Sequence, residues 1–327
     1  MKRKRIYLIA CGGTIAGIGT DACDLTQYKA GQTTWQEMVQ AVPFVREIAE
    51  LEGEQYCNID SSDMTEAHWL GLAARVQAIV DDPIYDGVVL THGTDTLEET
   101  AYALNLLVHT EKPVVITGAM RPATALSADG PLNFLAAVQT ACDAAAGSYG
   151  VLVLLNNRLC AARFVEKMDT MQVDAFQSRQ QGYVGIVQDG KPEFYQRPVK
   201  RCTQQSQLYL PVTNTLPYVP IVYCHVGMRG NIFPFFANDN AKAIILVGMG
   251  HGRVSEVIKN EVMALQQRKI LCVRTSRTFG GMVTKVDEYA TWLWANSLSP
   301  QKAKIVVQLA LAQGYSATQI QDILNTH

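Results

Sequence analysis

IYLIACGGTIAG, from Ile6 to Gly17, and VVLTHGTDTLEETAYAL, from Val88 to Leu104, are the two stretches on which the fold turns. Each is an apolar strand that stops at a Gly-rich turn carrying threonine, and the second runs on into a helix. In an open α/β sheet, ligands sit just beyond the carboxyl ends of the strands, where the loops gather. Thr14, Thr94 and Asp95 are therefore candidates for one shared pocket despite their separation in sequence. A threonine hydroxyl becomes a covalent nucleophile when a neighbouring group takes its proton.

Further short apolar runs predict strands at Val114–Gly118, Gly150–Leu155 and Tyr183–Val187, beside those at Ile6–Cys11 and Gly87–Thr91. Helical patterns at Thr65–Val80, Leu97–His109 and Leu132–Ala145 alternate with them. That alternation implies a mostly parallel sheet covered on both faces. Between Gly190 and Pro220 the chain turns polar and is punctuated by Pro192, Pro198, Pro211, Pro217 and Pro220, as a linker would be. Beyond it, strands are expected at Ile221–Cys224, Ala243–Val247 and Ile270–Arg274, with helices at Val254–Gln267, Pro300–Ala312 and Ala317–Leu324. The expected fold is α/β in two domains: a larger N-terminal one over residues 1–195, a linker over 196–219, and a smaller C-terminal one over 220–327.

The 327 residues are 48% hydrophobic and 18% charged, enough to bury a large core. A formal net charge of -2 gives no electrostatic footprint for nucleic acid or for an anionic membrane. No apolar run approaches the length of a membrane span. The eight cysteines are scattered, with none at CxxC spacing, so no metal site is expected and reduced, mostly buried thiols suit a cytoplasmic protein. Lys2 to Arg5 before Ile6 to Ala10 imitates a signal peptide, but that apolar stretch is shorter than the roughly 7–15 residues such a segment needs. It is read as a first buried strand.

Other motifs carry less. Gly248, Gly250 and Gly252 are spaced GxGxG rather than GxGxxG, so a tight turn accounts for them better than a dinucleotide site. Gly12-Gly13-Thr14 lacks the GK[ST] ending of a phosphate loop. His92 has no GxSxG partner and is read as a histidine held by local hydrogen bonds. Glu98 and Glu99 open a helix, where negative charge favours the dipole. Taken singly, Thr14 is a strand-end threonine, Asp95 a helix N-cap, Lys167 a surface lysine and Tyr28 a loop tyrosine.

Together, the runs around them resemble the bacterial-type L-asparaginases over essentially the whole chain. Gly-Gly-Thr-Ile-Ala-Gly is similar to that family's first threonine motif, and Thr-His-Gly-Thr-Asp-Thr with Glu-Glu-Thr-Ala-Tyr to its second. TGAMRPATALSADGPLN from Thr117 to Asn133, and the ending from Pro300 through QLAL, match in the right order. The resemblance implies that Thr14 is the nucleophile and that Tyr28 is the loop tyrosine bonded to its hydroxyl. It implies a second constellation of Thr94, Asp95 and Lys167, in which a lysine beside an acid relays a proton. Ser61 is implied to bind the substrate's α-carboxylate, Asp95 its α-amine, and the Ala119 carbonyl a water near the reacting centre. Neither metal nor organic cofactor is implied.

The departures from the family's pattern cluster around the substrate's amine. Ser62 stands where Gln or Glu is common, and Arg253 where an asparagine is common. The acid that a neighbouring subunit lends to the site is sought at Asp287 or Glu288. The resemblance thus implies a cytoplasmic homotetramer of close dimers that hydrolyses asparagine to aspartate and ammonia. The alternatives are a same-fold amidase preferring glutamine, D-asparagine or a modified asparagine, and a non-catalytic amino-acid-binding protein.

Overall fold

The computed structural model describes residues 3–23, 25–213 and 215–327, so Lys2 of the basic N-terminal run lies outside the described residues. The chain divides into two units, Met1–Ser206 and Gln207–His327. In the first, β1 (Lys4–Gly12), β2 (Ala49–Ile59), β3 (Gly87–Thr91), β4 (Val114–Thr117), β5 (Val151–Leu155), β6 (Arg158–Ala161), β7 (Gly185–Gln188) and β8 (Lys191–Phe194) form one sheet. Their order is β8-β7-β6-β5-β4-β3-β1-β2. Pairing is parallel from β2 through β1, β3 and β4 to β5, and antiparallel from β5 to β8.

The expected mostly parallel sheet is present, and its central strands are buried on both faces. Ile6, Leu8 and Ile9 of β1 are fully buried, and so are all five residues of β3. This is why they read as continuous apolar runs rather than as alternating ones. The connections between the parallel strands carry α1 (Glu66–Asp81), α2 (Leu97–Leu107) and α3 (Gly130–Ala141). Thr65 opens α1 with a reciprocal capping box to His68. Helix α3 starts and stops earlier than the pattern predicts. Pro131 sits in its first turn, and Asp143 caps a separate 3-10 turn, Ala144–Tyr149, by accepting from the Ala145 N–H.

The second unit holds a four-stranded parallel sheet of β9 (Ile221–Tyr223), β10 (Ala243–Gly248), β11 (Leu271–Ser276) and β12 (Leu293–Trp294), in sequence order. Helices α4 (Glu256–Gln267), α5 (Pro300–Ala312) and α6 (Ala317–Thr326) accompany it. Phe233, Ile244, Leu246, Val262, Tyr289 and Trp292 pack in its core. The Gly-rich segment after β10 is a tight turn, closed by a bridge between Met249 and Arg253. Among the described residues no helix is long and apolar enough to cross a membrane.

Candidate active site

Strand β1 delivers Thr14 to the carboxyl edge of the sheet. Its register against β2 shifts between Ala10 and Gly12, and the chain then turns into a single 3-10 turn, Thr14–Ala16. Thr14 is nearly buried, and its Oγ1 lies 2.6 Å from the hydroxyl of Tyr28. Tyr28 reaches that point from a small hairpin in which Tyr28–Lys29 pairs antiparallel with Ile18–Gly19. The hairpin is tied back at both ends. Gly31 N–H donates to the Gly13 carbonyl at 3.2 Å, and Gly19 N–H donates to Thr124 Oγ1 at 2.8 Å.

Strand β3, parallel and adjacent to β1, delivers Thr94 and Asp95 beside this turn. The two turns touch through their glycines: a Cβ on Gly13 would stand 2.2 Å from the Gly93 Cα. Thr94 and Asp95 meet Lys167, which sits on the short strand Val165–Lys167. Lys167 Nζ donates to Thr94 Oγ1 at 2.9 Å and to Asp95 Oδ1 at 2.6 Å. The lysine side chain is only 18% exposed, against 60% for its aspartate partner, so the pair is open to solvent on one side only. Lys167 is therefore no free surface lysine. Nor is Asp95 the helix N-cap: that position belongs to Thr96.

Ser61 joins the same ends. Its Oγ accepts from the Asp95 N–H at 3.1 Å, and its carbonyl accepts from Thr96 Oγ1 at 2.7 Å. Ser62, one residue on, is exposed and directs its hydroxyl to Asp60 Oδ1 at 2.8 Å. Ala119 follows β4 and is fully buried. Its turn is closed by Asp129, which accepts from the N–H groups of Met120 at 3.0 Å and Arg121 at 2.9 Å. The turn abuts the site, since a Cβ on Gly118 would lie 3.2 Å from Thr94 Cγ2.

His92 does not reach into this cluster. It is fully buried and ends a chain of hydrogen bonds. Trp69 Nε1–H donates to Thr100 Oγ1 at 3.0 Å, Thr100 Oγ1 lies 3.0 Å from His92 Nε2, and His92 Nδ1 lies 2.7 Å from the Gly93 carbonyl. Because Thr100 has one proton to give, the chain is consistent with a neutral imidazole donating to Gly93. Burial pushes the imidazole down to about 4.

In the second unit, Glu288 accepts from Arg253 at 3.2 Å and from Lys259 at 3.4 Å. Arg253, whose side chain is mostly exposed, thus has a carboxylate partner of its own. Asp287 opens the same 3-10 turn, Asp287–Tyr289.

Sequence reasoning missed one carboxylate. Glu98, taken for a helix-dipole residue, is buried and accepts from the Lys167 backbone N–H at 2.5 Å. No local pattern singles it out, because Thr94 and Asp95 precede the helix, which begins at Leu97.

Comparison with known proteins gives the family. Residues 5–200 match the asparaginase N-terminal family and residues 218–324 the glutaminase/asparaginase C-terminal domain. The chain is 38% identical to L-asparaginase 2 of Bacillus subtilis over 98% of its own length and 86% of the relative's. It is 39% identical to the glutaminase-asparaginase of Acinetobacter glutaminasificans, over 98% and 99% of the two chains. A solved structure, the probable cytoplasmic L-asparaginase of Campylobacter jejuni, superposes with a TM-score of 0.96 at 36% identity, covering 99% of this chain and 100% of that one. In sequence and fold, across both of its units, the chain belongs to the asparaginase family.

Proposed function

We propose that this chain is an L-asparagine amidohydrolase that converts asparagine to aspartate and ammonia through a threonyl intermediate. The observation that carries the proposal is the pairing of two hydroxyl-based clusters at neighbouring strand ends: Thr14 with Tyr28, and Thr94 with Lys167 and Asp95. Thr14 Oγ1 attacks the side-chain amide carbon while Tyr28 manages its proton. The N–H groups of the strand-to-helix turn stabilise the oxyanion as the carbon becomes tetrahedral. Lys167, bridging Thr94 and Asp95, moves protons as ammonia leaves and water attacks the ester. Ser61 takes the substrate's α-carboxylate and Asp95 its α-ammonium. Ala119 supplies its carbonyl to a water.

Glutamine is the second substrate to weigh, because relatives of comparable identity carry the name glutaminase-asparaginase. Ammonia release by purified protein from L-asparagine, L-glutamine and D-asparagine tests both. L-asparagine should be turned over fastest. A rate on glutamine equal to or above that on asparagine transfers the name to the second amide, and no release from any of them leaves a binding protein. A cytoplasmic homotetramer, with Asp287 or Glu288 lent across an interface, completes the proposal. It rests on the family membership and on the name of the Campylobacter relative.

A further inference from the structure

Lys167 is gripped at two places by one short segment. From Thr94 to Glu98 the chain supplies a hydroxyl and a carboxylate to Nζ, then a second carboxylate to the backbone N–H of the same lysine. The strand that carries Lys167 is short and, among the described residues, pairs with Phe176–Ser178 in a two-stranded ribbon. Such a ribbon has little stability of its own, so contacts to the main sheet must set where the lysine sits. Two buried carboxylates act at consecutive residues, one within the ribbon and one from outside it. Glu166 pairs with Arg179 inside the ribbon, and Glu98 reaches across from α2. The Glu98 contact ties the lysine's own peptide to the segment bearing Thr94 and Asp95.

We propose that Glu98 is a positioning residue for the hydrolysis: its carboxylate fixes the Lys167 peptide so that Nζ meets Thr94 and Asp95 together. The proposal rests on the amidohydrolase reading. Reach matters here rather than charge, because the bond is to a neutral N–H. A carboxylate drawn back by one methylene leaves that N–H without its acceptor, and displacing a catalytic group by about an ångström costs on the order of a hundredfold in rate.

Two variants separate reach from charge. Glu98→Gln keeps the length and an accepting oxygen but loses the charge. Glu98→Asp keeps the charge and suits the first turn of a helix, so it is expected to fold, but falls short of the Lys167 N–H. The expected result is a kcat within about threefold of native for Glu98→Gln and at least about tenfold lower for Glu98→Asp. KM should change little in either, since Ser61 and Asp95 stay in place. Amide hydrogen exchange in the peptide bearing Lys167 should speed up in Glu98→Asp alone. Native turnover in Glu98→Asp, or a Glu98→Gln variant slower than Glu98→Asp, overturns the proposal, as does an equal exchange rate in all three proteins. The exchange measurement needs no substrate. If native protein released no ammonia, faster exchange in Glu98→Asp would still sustain the positioning of Lys167 while the amidohydrolase reading failed.

Discussion

Gly13 and Gly93 meet backbone to backbone at the ends of neighbouring parallel strands, so closely that a Cβ on Gly13 would fall 2.2 Å from the Gly93 Cα. This contact brings the Thr14 turn and the Thr94 turn together. Gly13 also has φ +80°, a conformation that side chains rarely adopt.

Gly13→Ala therefore meets both a clash and backbone strain. The neighbour is backbone, which cannot swing away as a flexible side chain can. The variant should lose at least about 1–3 kcal/mol of stability and most of its amide hydrolysis. Denaturant unfolding and ammonia release measured on one preparation check this. Native values of both would mean that the turns do not depend on their contact.

Lys167→Met keeps much of the side chain's bulk while removing the ammonium that joins Thr94 to Asp95. Turnover of asparagine should collapse while aspartate still binds, because Ser61 and Asp95 remain. Calorimetric titration with aspartate and a rate at saturating substrate separate the two effects. Lost binding with a native rate would make Lys167 a substrate anchor.

Much of this architecture is legible in the sequence where burial is complete. Strand β3 is found at its predicted bounds, Gly87–Thr91, because an all-apolar run ending in Thr-His-Gly leaves little alternative. Strand β2, Ala49–Ile59, is not foreseen. It lies at the sheet's edge, and Glu50, Glu52 and Glu54 on it meet Arg5 and Arg75 rather than a core, so no apolar signal marks it. Edge strands are commonly charged for this reason. Strand β8, Lys191–Phe194, falls where Pro192 suggests linker, yet an edge strand tolerates proline. The Asp189-Gly190 turn before it, with φ 49° and 78°, is a hairpin signal that was readable. In the site, the motif wording singles out Thr14, Thr94, Asp95 and Lys167. The contact of Glu98 with the Lys167 peptide joins residues far apart in sequence, and no local pattern encodes it.

Stability should fall in acid through His92. Burial lowers its imidazole from an ordinary 6.5 to about 4 in the folded state, so protons favour the unfolded chain. The stabilisation is whole above pH 6.5, drains as pH falls towards 4, and changes no further below that. The full effect is on the order of 3 kcal/mol. His92→Gln, which does not titrate, should flatten the loss of stability across that window. Urea unfolding at pH 7 and pH 4.5 compares the two proteins, and equal losses would assign the acid sensitivity to other groups.

Assembly should be visible in activity. If Asp287 or Glu288 completes a neighbouring site, the rate per chain falls on dilution in step with dissociation of the close dimer. Sedimentation velocity and ammonia release across one concentration range test this. A monomer with the full rate would leave both acids to their own unit, where Glu288 already pairs with Arg253 and Lys259.

The central claim is that Thr14, 2.6 Å from the Tyr28 hydroxyl, makes the covalent bond to substrate. The most direct measurement is the rate of ammonia release from L-asparagine by Thr14→Ala beside native protein, with aspartate binding recorded for both. The rate should fall on the order of a thousandfold or more, with binding and folding retained. A variant that still releases ammonia within a few-fold of native would contradict it.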